Sequence, residues 1–193
     1  ATVVTHRSAL AAVTSVAWVA LLWDLLALGE APARSWWADR FLEHVRAVEP
    51  QGLEFTPRGG EWAAFRGSLG DWVERCREEF LRSADVAESG RLWHSGAYVP
   101  ETIASVLHVL TQFGDNPEEA IVRAVNDTRD NDTVAAIVGA AVGALHGLDA
   151  LPKRWIEGLL GRLNEDDDGR LFSLVDQAVD RFVGSGSQAR TPL

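Results

Sequence analysis

The chain has 193 residues, of which 47% are hydrophobic and 24% are charged, and its formal net charge is −10. These values are typical of a folded globular protein and exclude a disordered or collagen-like chain. The excess of acidic residues disfavours general nucleic-acid binding, because it repels phosphate backbones.

The single cysteine, Cys76, narrows the possible chemistry further. One cysteine excludes an internal disulfide and a cysteine-rich zinc site. It also fits a reducing compartment, and we therefore expect a cytoplasmic protein.

The predicted elements begin with an apolar helix over residues 8–28, which ends before Gly29. The apolar run at 9–23 allows two interpretations. It could be a signal peptide, with the small residues at 31–33 as its cleavage site. We favour a buried amphipathic helix of the folded domain with no membrane contact, because the helical pattern continues past Asp24.

The next part of the chain alternates between helices and loops. A helix is predicted over residues 35–48, capped by its first residue, and a loop rich in proline and glycine follows at 49–60. A third helix is predicted over 61–81, although each of its two glycines weakens it by about 1 kcal/mol relative to alanine. Residues 83–99 have no clean period and are predicted to be an irregular, functional segment.

The remaining chain is predicted to be helical, and the start signal at 116–119 is strong because it combines a cap, a proline and two acids. The predicted helices cover 100–113, 117–126, a Gly/Ala-rich stretch from Asn131 or Asp132 to Gly147, 152–163 and 169–183. We find no β alternation and no repeat. The expected fold is therefore an all-α multi-helix bundle, a single domain over 1–183 with a frayed tail at 184–193.

One polar stretch contains candidate metal ligands. Asp130, Asp132 and Thr133 lie on the turn that enters the Gly/Ala-rich helix, so their side chains can converge. Two carboxylates and a hydroxyl suit Mg²⁺, Mn²⁺ or Ca²⁺ rather than zinc. The same spacing also fits simple helix capping. Because a full shell needs about six oxygens, waters or other acids would have to complete it. The acidic cluster at 165–168 is one candidate, although we favour a solvated loop before a helix for that segment.

Several segments resemble the ADP-ribosylglycohydrolase family, which includes the dinitrogenase reductase-activating glycohydrolases and the crystallin J1 relatives. The segments are NDTRDNDTVAAIVGAAVGALHG at 126–147, LPKRW at 151–155, SGAYVPET at 95–102, and Thr5-His6 before an apolar helix. The first segment is highly specific, whereas Thr5-His6 alone is a weak signal.

The resemblance implies an orthogonal all-α bundle that hydrolyses the bond between ADP-ribose and an acceptor. The substrate would be an ADP-ribosylated protein or a small ADP-ribosyl compound. The resemblance also implies two divalent cations, Mg²⁺ or Mn²⁺, with Asp130, Asp132 and Thr133 among their ligands. The cations would bind ribose hydroxyls, activate a water and supply positive charge for an anionic pyrophosphate.

The resemblance assigns substrate contacts as well. Ser95, Gly96 and Tyr98 match the substrate loop of the family, and backbone N–H groups near Gly96 would add hydrogen bonds. His6 falls near the phosphate-binding side. Of the other histidines, His94 lies in a predicted loop. The remaining three lie in predicted helices, where we expect structural roles: His44, His108 and His146.

One feature departs from the family pattern. The family begins with a Gly-rich helix and an Asp-Asp-Thr metal motif, and this sequence has neither before Thr5. We therefore expect the chain alone to be nearly inactive and to need its own N-terminal fragment as a partner. The alternatives are a hydrolase of another ribosyl or nucleoside bond, and a non-catalytic binding or structural protein like crystallin J1. The acceptor stays open between arginine, serine, another residue and nucleic acid.

Overall fold

The computed structural model describes Thr2, residues 7–157 and residues 170–182. Within these residues lie nine α-helices: α1 Ala9–Ala27, α2 Arg34–Val48, α3 Leu69–Arg82, α4 Val86–Trp93, α5 Val99–Phe113, α6 Pro117–Asp127, α7 Asn131–His146, α8 Lys153–Glu157 and α9 Arg170–Phe182. The β pairing in the described part is one isolated bridge, between Phe55 and Gly67. The predicted all-α fold is confirmed.

The chain forms two compact units, Ala1–Leu151 and Pro152–Leu193. The first unit contains α1 to α7 and a short 3₁₀ helix at Leu148–Ala150. The second unit contains α8 and α9, and the bounds of α9 agree with the predicted helix over 169–183. The predictions for Thr5-His6, the acidic cluster at 165–168 and the tail at 184–193 lie outside the described residues.

Helix α5 is the central element of the first unit. It contacts each of the six other α-helices of that unit. Residues 100–112 are all buried, and most of their polar side chains are hydrogen-bonded, whereas Thr111 Oγ1 and His108 Nδ1 have no partner among the described residues. The Trp72 indole N–H, for example, donates to the Pro100 carbonyl at 2.8 Å. Because it is enclosed on all sides, α5 is a rigid base for the segments that precede it.

Helix α1 is a core helix with two apolar sides. Ser8 caps its first turn, and its inner side, which includes the fully buried Leu21 and Leu25, packs on α2, α5 and α7. The buried-helix interpretation therefore agrees with the structure, but the expected amphipathic character is wrong. Its outer side is also apolar and exposed, at Val16, Val19, Trp23 and Leu26. Among the described helices, α1 is the one whose length and composition would suffice to cross a membrane.

Two predicted boundaries between residues 61 and 99 are wrong. The third helix starts at Leu69 rather than at 61, because Ser68 and Asp71 form a capping box that fixes its first turn. The supposedly irregular segment 83–99 contains α4, which Asp85 caps through the Glu88 N–H at 2.8 Å. The predicted caps of α2 and α7 shift by one or two residues, to Ala33 and Asp130.

Candidate active site

The loop that joins α4 to α5, His94–Tyr98, has an unusual backbone. His94 and Ser95 have φ angles of 75° and 51°, in the left-handed region that residues other than glycine rarely adopt. Each such residue costs roughly 1–3 kcal/mol and persists only where surrounding contacts impose it. Strain of this kind is concentrated at functional sites, so the contacts that hold this loop indicate what it does.

Ser95 is the main attachment point of the loop. It is buried, and its Oγ lies 2.9 Å from Ser105 Oγ, which in turn accepts the Trp93 indole N–H at 3.0 Å. Ser95 also accepts two backbone N–H groups from the polar stretch before α7, Arg129 N–H on Oγ at 3.4 Å and Asp130 N–H on its carbonyl at 3.2 Å. These two hydrogen bonds bring the segments 83–99 and 126–133 together.

Gly96 and Tyr98 complete the loop. The Gly96 carbonyl accepts the Thr102 hydroxyl at 3.1 Å, and a Cβ at Gly96 would lie 2.8 Å from Glu101 Oε2, so only glycine fits without rearrangement. Tyr98 is half-buried and packs edge-on against Phe55 with 6.2 Å between ring centroids. Gly96 and Tyr98 are thus held in place while remaining partly exposed, whereas the Ser95 side chain is enclosed.

The predicted metal ligands lie beside this loop. Asp130 is the residue before α7, and Asp132 and Thr133 are exposed in its first turn. The Asp130 side chain does not cap the helix and, among the described residues, has no hydrogen bond or ion pair. Asp132 Oδ1 accepts only the neighbouring Thr133 N–H, at 2.8 Å. Simple capping therefore does not account for Asp130.

A cavity opens on each side of the loop. One, of about 420 Å³, is mainly apolar and is lined by Trp18, Ala97, Ile103 and Thr133 among others. The second, of about 570 Å³, is lined mostly by polar and charged residues, which include Arg91, His94, Ser95, Asp127 and Arg129. Both volumes fall in the range of small-molecule sites. The first cavity connects the predicted substrate loop with a predicted metal ligand.

The described part of the chain supplies only part of a metal shell. Across 7–157 and 170–182, no three His, Cys, Asp or Glu side chains are placed to hold one metal ion together. Asp130, Asp132 and Thr133 provide hard oxygen donors of the right chemistry, and two carboxylates offset the positive end of the α7 dipole. The metal assignment stays a prediction, as does that of His6, which lies outside the described residues.

The three helical histidines hold structural positions, as predicted. His44 Nε2 lies 2.6 Å from Asp24 Oδ2, and His146 Nε2 lies 2.8 Å from the Gly114 carbonyl oxygen. His108 is fully buried, with Nε2 2.7 Å from the Ser83 carbonyl oxygen, and burial lowers its pKa. None of the three faces the loop cavities, which places them outside the candidate site.

Sequence reasoning missed two residues near the loop. Glu101 is buried, and its Oε1 accepts the Arg58 backbone N–H at 2.7 Å. The Arg58 guanidinium carbon in turn lies 4.4 Å from the centroid of the Tyr98 ring. Glu101 could have been noticed because it lies inside the SGAYVPET segment. No sequence signal pointed to Arg58, because it lies far from that segment in the chain.

The described residues form an all-α protein in which a strained loop lies beside an acidic helix start. The chain matches the ADP-ribosylglycohydrolase family over residues 1–188 and belongs to that family. The resemblance inferred from the sequence is thereby confirmed. No solved structure matches the chain.

Characterised relatives match over shorter stretches. An ADP-ribosyl-[dinitrogen reductase] glycohydrolase of Rhodospirillum rubrum is 31% identical over 97 residues, which are 47% of this chain and 32% of that protein. The ADP-ribosylarginine hydrolase Tri1 of Serratia proteamaculans is 36% identical over 93 residues, 48% of this chain and 22% of that protein. The chain thus spans about a third or less of the length of these relatives.

Proposed function

We propose that the chain forms the substrate loop and one side of the metal centre of a hydrolase that releases ADP-ribose from an ADP-ribosylated protein. The observation that carries this proposal is the pair of backbone N–H groups, from Arg129 and Asp130, that bind Ser95. They place the loop and the acidic start of α7 at one location. Family membership and the names of the two relatives support the reaction type.

The acidic side of the site would hold a divalent cation, Mg²⁺ or Mn²⁺. Asp130 has a carboxylate with no partner among the described residues, and Asp132 and Thr133 add oxygen donors one turn away. Further ligands would come from outside the described residues. When bound, such a cation lowers the pKa of a coordinated water and thereby supplies a nucleophile at neutral pH.

The loop side would bind and orient the ADP-ribosyl group. Gly96 and Tyr98 are partly exposed and would contact it directly, with the backbone at Gly96 approaching closely because no side chain intervenes. Ser95 would act as a positioning residue, since its hydroxyl and carbonyl bind protein groups instead. Because the loop is already rigid before the substrate arrives, less conformational entropy is lost when the substrate binds.

Arginine is the acceptor we favour. Tri1 is named as an ADP-ribosylarginine hydrolase, and that relative is 36% identical to the chain over the matched stretch. The described residues contain no feature that selects serine or nucleic acid instead. Release of ADP-ribose from arginine-linked and serine-linked ADP-ribosyl peptides by the full-length protein would measure the preference, with faster release from arginine expected.

The central test removes one metal ligand. In the full-length protein, Asp132→Ala should lower metal-dependent release of ADP-ribose by about 100-fold or more, as expected when several kcal/mol of charge stabilisation are lost. Asp115→Ala is the matched control, because Asp115 is also an exposed acid near a helix start but lies away from the loop.

The outcomes separate the hypotheses. Wild-type activity that chelation abolishes and added Mn²⁺ or Mg²⁺ restores, together with an inactive Asp132→Ala variant, supports the proposal. Unchanged turnover in Asp132→Ala contradicts the metal assignment. A wild-type protein that binds ADP-ribose but never releases it from a substrate indicates the crystallin-like, non-catalytic alternative.

A further inference from the structure

Arg58 is fixed beside the substrate loop at two points. Its backbone N–H donates to the buried Glu101 carboxylate at 2.7 Å, and its guanidinium carbon lies 4.4 Å from the centroid of the Tyr98 ring. The side chain is otherwise exposed. The result is a positive group held over the outer edge of the loop by contacts with two residues of the SGAYVPET segment.

The segment that carries Arg58 is joined to the segment that precedes the loop. The backbone N–H groups of Glu61 and Trp62 donate to the carbonyls of Arg91 and Leu92, at 3.0 and 2.9 Å. Gly60, with a φ of +84°, lies so close that a Cβ there would be 2.5 Å from the Leu92 carbonyl oxygen. Because of these contacts, Arg58 has a defined position relative to the loop.

The charge of Arg58 is not used for an ion pair within the described residues. Six other arginines form ion pairs with carboxylates: Arg40, Arg46, Arg66, Arg77, Arg82 and Arg123. Arg58 instead stacks on an aromatic ring, an arrangement that leaves the N–H edge of the guanidinium free to bind an anion.

We propose that Arg58 binds a phosphate of the ADP-ribosyl group, with the Tyr98 ring holding the guanidinium in place. This inference rests on the proposed function, because it takes the loop at Ser95–Tyr98 as the place where the ADP-ribosyl group lies. Guanidinium groups bind phosphate through paired hydrogen bonds, which lysine does not reproduce. Glu101 acts as a positioning residue that fixes the Arg58 backbone.

The test compares a ligand that has phosphates with one that has none. Calorimetry on the full-length protein would measure the dissociation constants of ADP-ribose and of adenosine for wild type, Arg58→Ala and Arg58→Lys. We expect Arg58→Ala to weaken ADP-ribose binding about 10- to 100-fold, the effect of losing a charge-assisted hydrogen bond. Arg58→Lys should give a smaller loss, and adenosine binding should change less than twofold in both variants.

The matched control is Arg75→Ala. Arg75 is also exposed and also stacks on an aromatic ring, with its guanidinium carbon 4.5 Å from the Trp62 centroid. Since Trp62 lies outside the loop, this variant should bind ADP-ribose as wild type does. A thermal melt of each variant shows whether the fold is retained, and Arg58→Lys keeps the inference testable if Arg58→Ala unfolds.

The failure of this inference and the failure of the proposed function give different results. If wild type binds ADP-ribose and the folded Arg58 variants bind it equally well, the phosphate role of Arg58 is wrong and the proposed function stands. If Arg58→Ala weakens ADP-ribose and adenosine equally, Arg58 only maintains the loop and the inference is also wrong. If wild type binds no ADP-ribose, the proposed function fails and the inference fails with it.

Discussion

The loop His94–Tyr98 and the acidic segment Arg129–Thr133 lie side by side, but they are held in different ways. The loop is fixed by buried side chains, since Ser95 and Ser105 are both nearly inaccessible and hydrogen-bonded to each other. The acidic segment is attached through its backbone, and its carboxylates are exposed or half-buried. The loop therefore has a fixed conformation, whereas the acidic segment has carboxylates that remain accessible to a ligand.

This difference leads to a general expectation about substitutions. Changes in the loop should affect both folding stability and ligand binding, because its contacts are part of the core. Changes to the carboxylates of the acidic segment should affect catalysis but not folding stability, because surface substitutions usually alter stability by no more than about 0.5 kcal/mol. Four predictions follow from the contacts, from the largest expected effect on stability to the smallest.

The first prediction concerns the close backbone contact next to the loop. Gly60→Ala should lower the free energy of unfolding by about 3–4 kcal/mol, because its Cβ would meet the Leu92 carbonyl oxygen at 2.5 Å and the backbone φ is +84°. Gly52→Ala is the control, since Gly52 has a φ of +77° but no atom within 4 Å of the added Cβ. Gly52→Ala should lower the free energy of unfolding only by the cost of a left-handed backbone at alanine, about 1–2 kcal/mol. Equal losses in urea unfolding of the two variants would contradict the clash.

The second prediction contrasts the two regions directly. Ser95→Ala should lower the free energy of unfolding by about 1–3 kcal/mol, because it removes the buried hydrogen bonds of Ser95 Oγ with Ser105 Oγ and with the Arg129 N–H. Asp132→Ala should change stability by less than about 0.5 kcal/mol. Chemical denaturation of both variants measures the difference. A stability loss in Asp132→Ala that matches the loss in Ser95→Ala would show that the acidic segment is structural after all.

The third prediction concerns acid sensitivity of the core away from both regions. Burial lowers the pKa of His108 below its ordinary value of 6.5, so the native state binds this proton less readily than the unfolded state. The His108 contribution to stability is therefore complete above about pH 6.5 and is lost as the pH falls towards the folded pKa, at up to about 1.4 kcal/mol per pH unit.

Melting curves between about pH 8 and pH 5, a range that extends to both sides of the ordinary histidine pKa of about 6.5, would test this. His108→Gln removes the titrating group while retaining an N–H donor for the Ser83 carbonyl, and it should flatten the decline in stability. The same decline in both proteins would assign the acid sensitivity to other groups.

The fourth and smallest prediction concerns the start of α3. Glu49 accepts the N–H groups of Leu69 and Gly70 at 2.6 and 3.2 Å, so its negative charge lies at the positive end of the helix dipole. Glu49→Gln should cost about 1 kcal/mol. The exposed Glu54, paired with Arg66, is a suitable control, because Glu54→Gln should cost about 0.5 kcal/mol or less. If Glu49→Gln and Glu54→Gln lower the melting temperature equally, Glu49 does not stabilise the start of α3 in the way described.

The helices that the sequence predicted well have strong local signals. Helix α6 begins where Asn116 and Pro117 indicate, and α1 begins after its Ser8 cap. Such signals act within a few residues of the chain, so tertiary contacts are not needed to detect them.

Helix α4 escaped detection because its buried side is not apolar throughout. The residues at helical spacing on that side are Val86, Ser89, Gly90 and Trp93, so two of the four are small rather than hydrophobic. Ser95 packs closely on Gly90, with its Cβ 3.3 Å from a Cβ built there, and the Ser89 hydroxyl donates to Glu79 at 2.9 Å. A hydrophobic period cannot reveal a helix whose partner is a polar loop.

For the candidate site, the sequence identified the two segments but not how they are joined. The motifs around Ser95 and Asp130 are readable because they resemble family segments, whereas the contacts of Arg58 with Glu101 and Tyr98 join distant parts of the chain. The left-handed backbone at His94 and Ser95 is equally invisible in the sequence, because neither residue is glycine.

The hydrogen bonds that join Trp93 to Ser105 and Ser105 to Ser95 have an optical consequence. Trp93 is fully buried, and its indole N–H is coupled through one hydroxyl to the residue that fixes the loop. Indole emission depends on the hydrogen bonding and polarity around the ring. The difference in fluorescence between wild type and a Trp93→Phe variant would therefore report on the state of the loop during ligand binding, without an attached dye.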